Sequence, residues 1–224
     1  MHSLGQHFKE GGWGMWPIVF WGVFVIAITV ERTMVLLRAS INKDAFLANI
    51  QKCILAGDVG RAIKLCSSAN APLAKIVKAG LMKVNRPDAE VQAAMDEAAL
   101  RELPKIEHRT SYLALLSNLA MLSGLLGTIT GLIAAFGAVG GHGEGGPSID
   151  PARKAELLAG GISEAMNCTA FGLIVAILGL IAFALLNGKT QAIVDDINEG
   201  TVQVLNLVVN NRSKINVGGA KEAA

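Results

Sequence analysis

Gly161–Leu186, GISEAMNCTAFGLIVAILGLIAFALL, decides the fold of this chain. From Ala165 to Leu186 it holds no charged residue, and it is long enough to cross a bilayer as one helix. It nevertheless opens on a carboxylate, Glu164, followed by Asn167, Cys168 and Thr169. An ionisable group in such a segment costs roughly 2.5–3.5 kcal/mol on insertion scales, so it marks an ion or proton path by default. On a helical projection Ala165, Thr169, Gly172, Ala176 and Gly179 share one face, with Glu164, Asn167 and Cys168 on the neighbouring one.

Two further apolar blocks lie upstream. The first, from Gly11 to Val30, carries Trp13, Trp16 and Trp21 near its start, as an interfacial belt would. It runs into Glu31-Arg32 rather than a small-residue cleavage site, so it reads as an uncleaved first span over 13–37 after a short polar tail, 1–12. The second span, 111–139, is glycine-rich. Ala120, Gly124, Gly127, Gly131 and Ala135 recur every three or four residues, and Gly127-xxx-Gly131 is the spacing that lets helix backbones approach closely in lipid. Thr128 lies beside that stripe. With 52% hydrophobic residues concentrated in these blocks and a mean hydropathy of +0.46, the chain is a polytopic membrane protein.

The stretch between the first two spans, 38–110, is water-compatible and broken into helix-length pieces. Gly57-Asp58, Ser67–Asn70 before Pro72, and Asn85-Arg86-Pro87-Asp88 are the breaks. Apolar residues recur at helical steps, as in Phe46, Ile50, Cys53 and Ile54, and no alternating run suggests a strand. The helix from Asp88 meets no stop before the second span except Pro104, which predicts a kink or a small break there.

The loop of 140–160 contains Gly141-x-Gly143-x-x-Gly146, formally a dinucleotide fingerprint, but it follows a membrane helix and not a strand. His142 and Glu144 are too few to make a metal site. Asp150-Pro151 predicts the start of the third helix, with its span over 161–187 and an amphipathic continuation through 188–224 that ends in a disordered tail.

Net charge of +2 and the lack of a basic run argue against nucleic acid, and three cysteines without CxxC spacing argue against a disulfide framework or zinc. No HExxH, Ser/His pair within the spans or internal repeat supports an enzyme or solute carrier, so no catalytic residue, metal or cofactor is expected. Twelve Lys and Arg lie in 38–110, and those nearest the membrane place that loop inside. The expected topology has the N-terminus in the periplasm and the C-terminus in the cytoplasm of an inner membrane, with helices 2 and 3 extended into the cytoplasm. The fold class is all-α with three transmembrane helices.

The local text resembles the ExbB/TolQ/MotA family of ion-driven motor subunits. Glu31-Arg32 is similar to that family's pair at the end of the first span, and Ala71-Pro72-Leu73 with Gly80 to its loop motif. Gly124-Leu-Leu-Gly127-Thr128-Ile-Thr130-Gly131 with Ala135-Phe136 resembles its second-helix signature. Gly161-Ile-Ser-Glu164-Ala followed by Thr169-Ala-Phe-Gly172-Leu resembles its third. Met121 and Leu178 stand where the family often has proline. Three spans place the chain nearer ExbB and TolQ than MotA. The resemblance implies a homopentamer around a single-span ExbD- or TolR-like partner whose membrane aspartate takes up the ion. Thr128 and Thr169 would line the contact with that aspartate, Glu164 would lie near its entrance, and Gly124, Gly127, Gly131 and Gly172 would pack the helices. The implied ion is H+, with Na+ the alternative. The competing reading is a structural membrane scaffold in which Glu164 is merely an interfacial charge.

Overall fold

The computed structural model describes residues 12–40, 42–140 and 150–212. The Gly141–Gly146 string, His142, Glu144, most of the N-terminal tail and the final ten residues lie outside them. The described residues form helices only: α1 (Met15–Ala39), α2 (Lys43–Leu55), α3 (Val59–Ser68), α4 (Pro72–Met82), α5 (Asp88–Glu107), α6 (Thr110–Gly140) and α7 (Pro151–Asn210). Three helical stretches are long and apolar enough to cross a membrane, in α1, α6 and α7. At 60 residues α7 far exceeds the ~20 that one crossing needs.

Two compact units are present, with boundaries inside α1 and α7. The first comprises α1 up to Glu31 with 111–184. Its helices are apolar on nearly all sides: Phe20, Val23 and Ile26 on α1, Leu125, Ile129 and Ile133 on α6, and Ile174, Ile177 and Ile181 on α7 are all exposed. A soluble helix would show one apolar stripe; helices apolar all round are those that face lipid. What this unit buries is small. Ala120, Ala135, Ala165, Cys168 and Ala176 are hidden between helices, together with Met15 and Ile18 of α1. With no hydrophobic drive between helices in lipid, close backbone packing supplies the cohesion.

The second unit comprises Arg32–Thr110 with the chain from Leu185 onward. Here the amphipathic rule returns. Ile50, Ile54, Ala62, Cys66, Leu73, Ile76, Val77, Leu81, Val91 and Met95 form a core with Ile197, Val204 and Val208 of α7. The turns follow local chemistry. Gly57 takes φ +76°, a left-handed conformation, and Asp58 caps α3 by accepting from the Arg61 amide at 2.8 Å. Pro72 opens α4, where its missing N–H costs nothing. Gly80 gives way to Met95, whose Cγ would lie 2.5 Å from any Cβ there.

Ion pairs fasten this unit's surface. Lys43 bridges Asp196 (2.8 Å) and Glu199 (2.7 Å) of α7, and the hydrogen bonds to Asp196 and then Glu199 hold its ammonium above the ordinary lysine range. Glu102 accepts from Lys105 (2.5 Å) and Lys75 (3.0 Å). Burial pushes its carboxyl up, but the two lysines outweigh burial and hold it below the usual value. Burial pushes the Cys66 thiol up to about 11.

The helix from Asp88 does not break at Pro104. It continues to Glu107, and the interruption falls at His108–Arg109. Arg32, 2% exposed, explains the position. Its guanidinium donates to the carbonyls of Lys105 (3.3 Å) and Ile106 (3.2 Å), which the end of α5 would otherwise leave without partners.

Candidate functional site

The site is built on the seam between α6 and α7. Its register is antiparallel and steps through small residues. A Cβ at Gly172 would lie 2.9 Å from the Cα of Gly124 and 3.1 Å from the carbonyl oxygen of Ala120. Two turns along, Gly131 meets Ala165 (3.3 Å to its Cβ), and one turn beyond that Gly161 abuts Ala135. At the other end Gly179 abuts the Ser117 hydroxyl. Ser117, Gly124 and Gly131 are seven residues apart, as are Ala165, Gly172 and Gly179, so one seven-residue repeat sets both faces.

Gly127 lies off this line. A Cβ there would fall 2.9 Å from the Cβ of Cys168 and 3.7 Å from the Cα of Gly14. The close-packed partners on the seam are therefore Gly124 and Gly131, while Gly127 makes room where α6, α7 and the start of α1 converge. Spacing on one helix could not separate these roles, because it fixes a face and not the neighbour that meets it.

Within this frame Thr128 and Thr169 come together. Their hydroxyls make a short direct contact, half-buried. Thr128 Oγ1 also lies 3.2 Å from the Gly124 carbonyl oxygen and 3.4 Å from that of Ala165; Thr169 Oγ1 lies 3.3 Å from the same Ala165 oxygen. Each threonine thus has the i−4 carbonyl as an option, but the two also meet across the seam. Two hydroxyls bring two protons and four lone pairs; their mutual bond takes one of each and a carbonyl takes the other proton, which leaves three lone pairs. A third group approaching the pair finds acceptors, or a donor once a hydroxyl turns off its carbonyl.

Glu164 is half-buried and lies apart from this pair, with its carboxylate against the backbone of Gly12 just before α1. Cys168, one turn further, is buried between Gly14 and Gly127. Three contributors were not visible as such in the sequence. Gly12 and Gly14 lie at the very start of the apolar block, where glycine carries no sign of a contact. Trp21, assigned to an interfacial belt, donates from Nε1 to Ser123 Oγ at 3.1 Å and so ties α1 to α6.

A glycine-seamed helix pair carrying a hydroxyl cluster, inside a unit with three apolar spans, defines the class: a multi-pass membrane protein. Residues 68–199 match the MotA/TolQ/ExbB proton channel family. The chain belongs to that family, as its local signatures imply. It is 30% identical over 185 residues to biopolymer transport protein ExbB-like 1 of Synechocystis sp., covering 82% of this chain and 70% of that protein. Its identity to ExbB-like 3 of the same organism is 27% over 165 residues, 74% of this chain and 76% of the relative. To the Tol-Pal system protein TolQ of Haemophilus influenzae it is 34% identical over 105 residues, 46% of this chain and 42% of the relative. The chain is thus an ExbB/TolQ-type subunit of the inner membrane, from a family of transport and motor subunits rather than enzymes.

Proposed function

We propose that this chain is the ion-conducting subunit, with H+ as the ion, of a motor that couples the ion-motive force to mechanical work on an envelope machine. The observation that carries this reading is the meeting of the Thr128 and Thr169 hydroxyls on a seam otherwise made of glycine and alanine. Hydroxyls there add nothing to close packing. They suit a group that changes protonation state, since they donate to a carboxylate and accept from a carboxylic acid. The chain has no acidic residue in α6, and Glu164 is held elsewhere, so the titrating carboxylate comes from a single-span partner similar to ExbD or TolR. In this reading five copies surround the partner. The N-terminus is periplasmic, and the second unit, with the far end of α7, is cytoplasmic.

The energetics are consistent with such a cycle. Protonating the partner's carboxylate removes a charge whose burial is expensive and lets its helix move against the ring. Each charge crossing the membrane supplies about 2.3 kcal/mol per 100 mV, enough to bias a step without breaking the assembly. Receptor energisation, envelope maintenance of the Tol kind and gliding motility would all accept this subunit.

Thr128→Val and Thr169→Val keep the shape and remove the hydroxyls. Each should abolish the driven process in cells while oligomer yield stays at the wild-type level, and Thr→Ser should restore function. Normal output from the double valine variant would favour the scaffold reading.

A further inference from the structure

Gly12 stands ahead of α1 with φ +58°, in the left-handed region. A Cβ placed on it would coincide with Oε1 of Glu164 and lie 2.7 Å from that residue's Cδ. The torsion favours glycine, and any Cβ there would push the Glu164 carboxylate out of its present place. Two residues on, a Cβ at Gly14 would lie 3.0 Å from the Sγ of Cys168 and 3.1 Å from the Cα of Gly127. Glu164 and Cys168 are one helical turn apart, so the Gly12–Gly14 turn tracks one face of α7 at two successive levels. The same turn leads into α1: the Met15 amide reaches back to the Gly12 carbonyl at 3.4 Å, and Trp16 to Trp13 at 3.3 Å. The first amides of a helix lack intrahelical partners and form its positive end, which favours an adjacent carboxylate.

From this we propose that Gly12 is a positioning residue: it lets the first turn of α1 come close enough to fix the Glu164 carboxylate at one place beside the α6–α7 seam. The proposal rests on the reading of Glu164 as part of the ion path. Gly12 touches no ion and no partner group. It acts through Glu164, by leaving the carboxylate a place from which any side chain would displace it.

The test uses the assembled complex with its co-purified partner in potassium-loaded vesicles, where valinomycin sets the potential and a pH-sensitive dye reads proton flux. Thermal unfolding of the same preparation is the second reading. Gly12→Ala and Gly12→Asn are each combined with Glu164→Asp, which retracts the carboxylate by one methylene. Asparagine tolerates the left-handed torsion, so its effect reads the contact and not the strain. Gly14→Ala, which faces Cys168 and Gly127 instead, is the control. Both Gly12 variants should lose most of their flux and melt earlier when Glu164 is present. In the Glu164→Asp background they should cost little further in either reading, while Gly14→Ala costs the same in both backgrounds. Equal losses from the Gly12 variants in the two backgrounds, or no loss beside Glu164, would overturn the proposal. Glu164→Gln with full wild-type flux would instead sink the ion-path reading of Glu164, and the unfolding data would still report whether Gly12 and Glu164 are coupled.

Discussion

Gly172→Ala is the smallest change that tests the seam. The added methyl would lie 2.9 Å from the Cα of Gly124, 3.1 Å from the Ala120 carbonyl oxygen and 3.3 Å from the Gly124 nitrogen. All three are backbone atoms of α6, so no side chain can rotate away. Ordinary contact needs about 3.5–4 Å between carbons, so the helices must part locally by roughly 0.5–1 Å. A gap of that size forfeits a quarter to a half of each neighbouring contact, and overpacking of this kind typically costs about 1–3 kcal/mol. Thr169 lies one turn from Gly172, so the same opening draws its hydroxyl off Thr128. Gly188, also within α7, has nothing within 4 Å of its would-be Cβ. Alanine there should gain about 0.5–1 kcal/mol from restricted backbone freedom. Thermal unfolding of the purified oligomer, paired with proton flux, reads both effects. Gly172→Ala should melt earlier and lose flux; Gly188→Ala should melt at or above wild type with flux unchanged. A Gly172→Ala protein as stable as Gly188→Ala would refute the seam as described.

Other consequences follow from the second unit. Arg32→Met removes the donors to two carbonyls at the end of α5 and should cost about 2–4 kcal/mol, seen as lost hydrogen-exchange protection around residues 105–110. Glu102 is held below the ordinary carboxyl range. Its contribution is present above the unfolded value of 4.5 and lost as pH falls through the folded one, so Glu102→Gln should flatten the acid limb of a stability profile. Lys43 is shifted the other way. On the alkaline side its pairing with Asp196 and Glu199 should hold in full up to about 10.5, and Lys43→Ala should be nearly silent in high salt. Cys66, buried with its thiol pushed up to about 11, should resist maleimide at neutral pH until the protein unfolds.

The three spans were legible because each is an uninterrupted apolar block. The soluble helices were legible because glycine, proline and capping residues stand between them, as at Gly57-Asp58 and before Pro72. The seam was legible in part. Small residues at three- and four-residue steps named the right face of α6, and the face of Ala165, Thr169, Gly172 and Gly179 is the one that meets it. Two things were not legible, for different reasons. The share of Gly127 depends on the turn into α1, where Gly14, which meets it, carries no hydrophobic signal. The break at His108–Arg109 depends on Arg32, more than seventy residues away in sequence, and Pro104 alone points four residues too early. Periodicity reports what a helix offers to its surroundings; which neighbour accepts the offer is a tertiary fact.

The central claim is that the Thr128–Thr169 pair serves a proton path. Its most direct test is proton flux into vesicles holding the complex with its single-span partner, comparing wild type with the Thr128→Val/Thr169→Val double variant at equal incorporation. The account predicts potential-driven flux in the wild type and none above the lipid background in the variant. Equal flux from the two, with the oligomer intact in both, would contradict it.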